Sequence, residues 1–375
     1  MTTNYTLRAN LVLTDRIMTG GYVHIHDNVI QSIAETPVEN IEIIDHSDSY
    51  LMPGLIDLQV NGGGGMLFND VKNTDDIRTI VDAHLKYGTT GLLATLITDA
   101  PEQLTTQLAL IGNAIRHDAY IAQHVLGIHL EGPFFNLERR GTHPPQYVME
   151  PSVAWMEKWI EAAQGTLKIV TLAPELPNAL DVIALLRKHD IAVSLGHSDA
   201  TYDDVNAAIA QGATLGTHLF NAMSQWQGRA PNMVGTLVDH PLASVSLIND
   251  GHHVHDVSLR MVLKAKPLDQ IFFVSDAMHV IEPGEAVITY RGMVMQARDG
   301  VCFNQDGKLA GSVSPLFAAL RRAVSHLGLT LPEAARLAST NPARVLTLGH
   351  RGKLAVGTQG PFLLVSTDLQ ALSLK

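Results

Sequence analysis

Short apolar runs rich in β-branched residues recur along the chain, each followed by a segment in which apolar positions return every three or four residues. Eight of these runs read as strands: LIDLQVN (55–61), TTGLLATLIT (89–98), VLGIHLEG (125–132), KIVTLAPE (168–175), IAVSLGHS (191–198), ATLGTHLFNA (213–222), ASVSLIND (243–250) and QIFFVSDA (270–277). The segments between them predict helices; NTDDIRTIVDAHLKYG, for instance, opens on an Asn or Thr cap and closes on Gly. Strand–helix alternation lays the strands in a parallel sheet with helices outside, and eight such units are the number that closes a barrel. The pattern therefore predicts an α/β fold, a (β/α)8 TIM-like barrel over residues 53–349.

The chain ends break the pattern. Residues 1–52 (YTLRANLVL, YVHIHDNVIQSIAE) and 350–375 (GPFLLVSTD) read as short strands and are expected to join in one small β-sandwich domain. A strand-like stretch with Gly-containing turns near 286–311 reads as a hairpin inserted over the barrel mouth, either a lid or a long loop. Composition adds exclusions. With 46% hydrophobic and 17% charged residues and no biased tract, the chain is globular and not disordered. A net charge of -11 argues against a nucleic-acid partner, since that affinity comes from clustered Lys and Arg. The N-terminus lacks the basic start and apolar core of a signal peptide, and no apolar run approaches the ~20 residues of a membrane span, so a soluble protein is expected. The single cysteine, Cys302, excludes an intrachain disulfide and a multi-cysteine zinc site and suits a reducing compartment, with the cytoplasm as the expectation.

Candidate chemistry gathers at the C-terminal ends of the predicted strands, where barrel enzymes build their sites: Gln59, Asn61, Glu131, Glu175, His197, His218, Asn221, Asp250 and Asp276. Strand ends do turn polar as they reach solvent, which accounts for any one of these residues but poorly for so many His and carboxylates together. Glu131, His197 and His218 come from three separate strands. Three N/O ligands converging with a fourth position left for water describe a catalytic divalent-metal site; Zn2+ fits first, with Fe2+ or another first-row metal as the alternative. A lone His among the chain's 18 would carry little weight; the set of three carries the reading. Asp276 beside such a site suits general base followed by general acid.

The motifs PGLIDLQVNG, HLEGPF, GTHPP, LGHS, THLFNAM, DGHHV, VSDA and LAGS, in this order between residues 53 and 312, resemble the N-acetylglucosamine-6-phosphate deacetylase family of the amidohydrolase superfamily. HLEGPF with THLFNAM is specific to that family, whereas PGLID and the Asp of VSDA are shared by the superfamily. The resemblance implies a metal-dependent hydrolase that removes the acetyl group of an amino-sugar phosphate, N-acetylglucosamine 6-phosphate. The galactosamine epimer and another amidohydrolase-superfamily amidase are the alternatives. It further implies that Glu131, His197 and His218 hold one metal, that Asp276 is the acid/base, and that His143 contacts the acetyl carbonyl. Read without it, His143 before Pro144 and Pro145 is an exposed loop residue. By the same resemblance Asn221 and Ala222 present backbone N–H groups to the sugar phosphate, His253 contacts the substrate, and Leu309, Ala310 and Gly311 lie against the sugar. Arg229 is implied to bind the phosphate, from its own chain or, as the family allows, from the neighbouring subunit, so a homodimer is implied. His252 and His255 receive no role. SDAMHVIEPG and SQWQGRAPNM depart from the family's usual versions of those loops.

The first strand departs most. Where the superfamily usually has His-x-His, this chain has Gln59 and Asn61, whose amides are poor ligands for zinc or iron. One metal per chain is therefore expected, with Gln59 at most hydrogen-bonding the water or lying near the ion. The plainer alternative is that both amides only pack at the barrel floor.

Overall fold

Eight parallel strands follow one another around the central sheet of the computed structural model, which describes residues 4–281, 286–298, 300–370 and 372–374. They are β1 (Leu55–Val60), β2 (Thr89–Ile97), β3 (Val125–Glu131), β4 (Leu167–Leu172), β5 (Ala192–Leu195), β6 (Leu215–Gly216), β7 (Ser244–Leu247) and β8 (Ile271–Phe273). Each pairs with the next in sequence. The last and first strands meet at their C-terminal ends, where the Asp276 N–H donates to the Gln59 carbonyl (3.0 Å) and the Asn61 N–H to the Ala277 carbonyl (2.9 Å). The ring of strands thus closes at the level of the candidate site.

Each predicted run coincides with one of these strands, β4 starting one residue before its run, but the runs outlast their strands: 213–222 pairs only over Leu215–Gly216. The unpaired tails are the loops that carry His197, His218, Asn221 and Asp276. Between strands, helices cover the sheet as the periodicity predicts. The helix Thr74–Leu85 begins at Asn73, whose side chain accepts from the Asp75 and Asp76 N–H groups, and it turns Ile77, Ile80 and Val81 inward.

Two-residue steps along the strands layer the barrel interior. At the floor lie Leu93, Ile169, Leu215 and Phe272 in one apolar cluster. One step higher the layer is polar: His129 Nε2 meets Thr171 Oγ1 (2.7 Å), Thr171 Oγ1 meets Thr217 Oγ1 (2.8 Å), and Ser194 Oγ meets Thr217 Oγ1 (2.5 Å). A further step reaches Glu131 and Asp276. Buried polar groups are costly unless paired, and this layer pairs its own while supporting the site above it.

Both chain ends join in one six-stranded sheet, in the order Leu372–Leu374, Phe362–Ser366, Ile43–Pro53, Asn4–Val12, Ile17–His26, Val29–Ala34. Leu7, Leu11, Val23, Ile25, Leu51 and Phe362 form its buried core. The insertion after β8 holds four antiparallel strands: β9 (Ala286–Tyr290), β10 (Met293–Arg298), β11 (Val301–Asn304) and β12 (Leu309–Ser312). It is anchored at two places. Ser312 exchanges backbone bonds with Asp276 and Met278, and at the first turn Arg291 donates to both carboxylate oxygens of the buried Asp99. Residues 282–284 of SDAMHVIEPG lie outside the described residues. Among the described residues no helix is long and apolar enough to cross a membrane.

Candidate active site

Glu131 ends β3, and its carboxylate is buried under two imidazoles. Its Oε1 lies 3.1 Å from His218 Nε2 and 3.3 Å from His197 Nε2, and the two ring nitrogens stand 3.1 Å apart. His197 Nδ1 is 3.0 Å from the Arg139 carbonyl, an acceptor only, so Nδ1 carries the ring proton and Nε2 presents a lone pair. A lone pair aimed at a carboxylate oxygen and a second ring nitrogen, all out of water, is an arrangement that a cation relieves. Ligand atoms roughly 2.0–2.2 Å from a first-row ion stand roughly 3.0–3.5 Å from one another, which is the spacing found. The three residues fit a divalent metal. His143 brings a further donor within 4.8 Å of those of Glu131 and His197. Burial pushes the Glu131 carboxyl up, but the His197 and His218 imidazoles outweigh it and hold it well below the usual range.

Gln59 and Asn61 turn their amide N–H groups toward acids. Gln59 Nε2 donates to Glu131 Oε1 (2.8 Å) and Asp276 Oδ1 (3.1 Å), and Asn61 Nδ2 donates to the same Asp276 oxygen (2.7 Å). Two carboxylates this close repel each other, and burial, followed by the Glu131 charge, lifts Asp276 to about 6. Where the superfamily's two imidazoles would bring a second cation, the amides supply N–H donors instead. Both amides thus hydrogen-bond the site's acids as well as packing in the barrel.

The backbone under these groups is unusual. His197 (φ 51), His218 (φ 34) and Asp276 (φ 51) all adopt the left-handed region that side chains disfavour, as do Phe220 (φ 80) and Ala222 (φ 51) nearby. Such conformations persist only where surroundings enforce them, and they concentrate at functional sites. Glu175 is one enforcer, accepting from Asn136 Nδ2 (3.0 Å), Ser198 Oγ (2.6 Å) and the Asp199 N–H (2.7 Å). It ties the loop after β3 to the loop that carries His197. Asn136 N–H in turn donates to the His197 carbonyl (3.0 Å).

A cleft of about 700 Å³ opens above, lined by Asn61, Glu131, His143, His197, His218 and Asp276 together with Asn221, Ala222, His253 and Leu309 to Gly311. His253 is fixed by Asp250, whose Oδ2 is 2.7 Å from His253 Nδ1. Gly311 has φ +72, and a Cβ there would meet the Asp276 carbonyl at 2.8 Å, so this position must be Gly. One sequence expectation changes, that of an exposed His143. His143 is buried, not exposed, packed edge-on against Phe135. Arg229 is exposed and is not part of the cleft lining. The sequence reading passed over Phe135, Met278 and Thr98. Phe135 stacks on His197 (ring centroids 4.2 Å apart), and the phenylalanine pair that follows the glycine and proline of HLEGPF was the available signal.

Comparison with known proteins adds to this geometry. Residues 50–374 match the amidohydrolase family. The chain is 32% identical over 370 residues to the N-acetylglucosamine-6-phosphate deacetylase of Bacillus subtilis (strain 168), covering 96% of this chain and 93% of the relative. It is 34% identical over 325 residues to the N-acetylgalactosamine-6-phosphate deacetylase of Shewanella sp. (strain ANA-3), covering 86% and 81%. Among solved structures, a mutant N-acetyl-D-glucosamine-6-phosphate deacetylase from Mycobacterium smegmatis in complex with N-acetyl-D-glucosamine-6-phosphate superposes with a TM-score of 0.93 at 30% identity, over 100% of this chain and 98% of that one.

Proposed function

The chain belongs to the amidohydrolase family, and on that premise we propose that it removes the acetyl group from N-acetylglucosamine 6-phosphate, giving glucosamine 6-phosphate and acetate. The observation that carries the reading is the buried meeting of Glu131, His197 and His218 donor atoms at 3.1–3.3 Å, with Asp276 held beside them by Gln59 and Asn61. These three residues would hold one divalent metal, zinc by donor set. A metal there supplies Lewis acidity, which makes a water nucleophilic near neutral pH and polarises the carbonyl.

The chain's own residues do the rest. Asp276, with Oδ1 pinned by two amide donors, accepts the proton of the attacking water and returns it to the departing amide nitrogen. His143 donates to the carbonyl oxygen as negative charge develops there. Burial first, then the neighbouring His197, holds His143 down at about 3, so it works as a neutral donor. His253 and the Asn221–Ala222 backbone bind the sugar phosphate, and Leu309 to Gly311 cover it. Arg229 adds a phosphate contact across a homodimer interface, which its exposure outside the cleft supports. A cytoplasmic setting completes the proposal, and the buried free thiol of Cys302, the chain's single cysteine, suits such a reducing compartment.

The galactosamine epimer is the second reading, favoured by the Shewanella relative. Acetate release from the two epimers and from unphosphorylated N-acetylglucosamine tests both points. The proposal expects N-acetylglucosamine 6-phosphate to have the highest kcat/KM. A faster epimer would move the substrate to galactosamine, and equal rates on phosphorylated and unphosphorylated sugar would remove the phosphate site.

A further inference from the structure

Thr98 follows β2 and is fully buried against His143. Its backbone N–H lies 3.3 Å from His143 Nδ1, and its Oγ1 lies 2.8 Å from the same nitrogen. A backbone N–H can only donate, so Nδ1 accepts and the proton of the neutral ring sits on Nε2. We propose that Thr98 is a positioning residue that fixes His143 as the Nε2–H tautomer, so that His143 meets the acetyl carbonyl as a donor and does not become a metal ligand. This rests on the deacetylase reading above.

Three features of the surroundings bear on Thr98. Gly132 of HLEGPF has φ +89, and a Cβ there would stand 2.3 Å from Thr98 Oγ1, so the glycine makes room for the hydroxyl beside the imidazole. Tyr290, at the end of β9, donates its hydroxyl to the Thr98 carbonyl (3.1 Å), and Arg291 clamps the adjoining Asp99. The insertion thereby holds the strand end that holds His143. Finally, His143 stands near enough to Glu131 and His197 to compete as a ligand, with donor atoms within 4.8 Å. A ligating nitrogen needs a free lone pair: Nδ1 spends its own on Thr98, and Nε2–H has none.

Nitrogen NMR of zinc-loaded protein labelled with 15N-histidine reads the tautomer directly, with the His143 signals assigned by their loss in His143→Gln. The expected result is a proton on Nε2 and an unprotonated, metal-free Nδ1. A proton on Nδ1, or a metal-bonded His143 nitrogen, would overturn the proposal. Thr98→Val keeps the N–H but loses the hydroxyl; it is expected to lower kcat about tenfold with KM within about twofold, at unchanged zinc content. Thr98→Ser should restore both rate and tautomer. A Val variant that folds, loses rate and keeps the wild-type His143 spectrum would contradict the assignment. If it does not fold, the wild-type and Ser spectra still decide. Should the wild type release no acetate at all, the reaction reading fails, while the tautomer result stands or falls on its own spectrum.

Discussion

Gln59 and Asn61 show how much two side chains can change. An imidazole offers a metal a lone pair, whereas an amide N–H offers a carboxylate a proton, and here both amides spend their donors on Glu131 and Asp276. The expected outcome is one tightly held metal per chain, measured by elemental analysis of protein purified without added metal. Gln59→His with Asn61→His should gain a second ion, since the bonds to Asp276 would be exchanged for lone pairs. Two tightly bound metals in the wild type would contradict this. The residue types at the site were legible because strand ends alternate in a readable way. Thr98 was not: its meaning lies in one contact with His143, 45 positions away, and no local pattern encodes such a contact.

At the scale of elements, apolar periodicity found all eight barrel strands but ran past their ends. Runs such as 213–222 stay apolar through the turn, while pairing stops where His218, Phe220 and Ala222 take left-handed backbone angles. The helix Thr74–Leu85 was legible from its cap and stripe, yet the sequence hid that its His84 reaches across to the Gly62 carbonyl (Nε2 to O, 2.8 Å) beside Asn61. Burial holds His84 down at about 4 against an ordinary value of 6.5. Because the fold keeps this ring neutral, its contribution is fully present above about pH 6.5 and is lost progressively as pH falls toward about 4. The loss amounts to about 3 kcal/mol from this one group. Denaturant unfolding measured from pH 7 to 4 should show that fall, and His84→Gln, which retains a donor for Gly62, should flatten it. An equal slope in both proteins would show that other groups set the acid limit.

On the scale of the whole molecule, the barrel and the sheet shared by both chain ends follow from strand pattern alone. How the ring closes does not. The closing bonds join Asp276 to Gln59 and Asn61 to Ala277, so the proposed proton carrier and the two amides sit on the seam between the last strand and the first. Arg229 lies outside the cleft lining on an exposed loop, and the proposal draws its phosphate contact from a second copy of the chain. Mixing Arg229→Ala chains with Asp276→Asn chains should give activity above either parent, since one site of each mixed dimer then combines an intact Arg229 with an intact Asp276. No gain in verified mixed dimers would place Arg229 in its own chain's site. The central claim is that Asp276 moves the proton for amide hydrolysis at a metal held by Glu131, His197 and His218. Acetate release from N-acetylglucosamine 6-phosphate, with metal content determined in the same samples, tests it in wild type and Asp276→Asn. The account predicts equal metal in both proteins and a kcat lower by roughly 10²–10⁴ in the variant. A variant that keeps its metal and turns over within about threefold of wild type, far short of the ~10²-fold expected of a general acid/base, would contradict it.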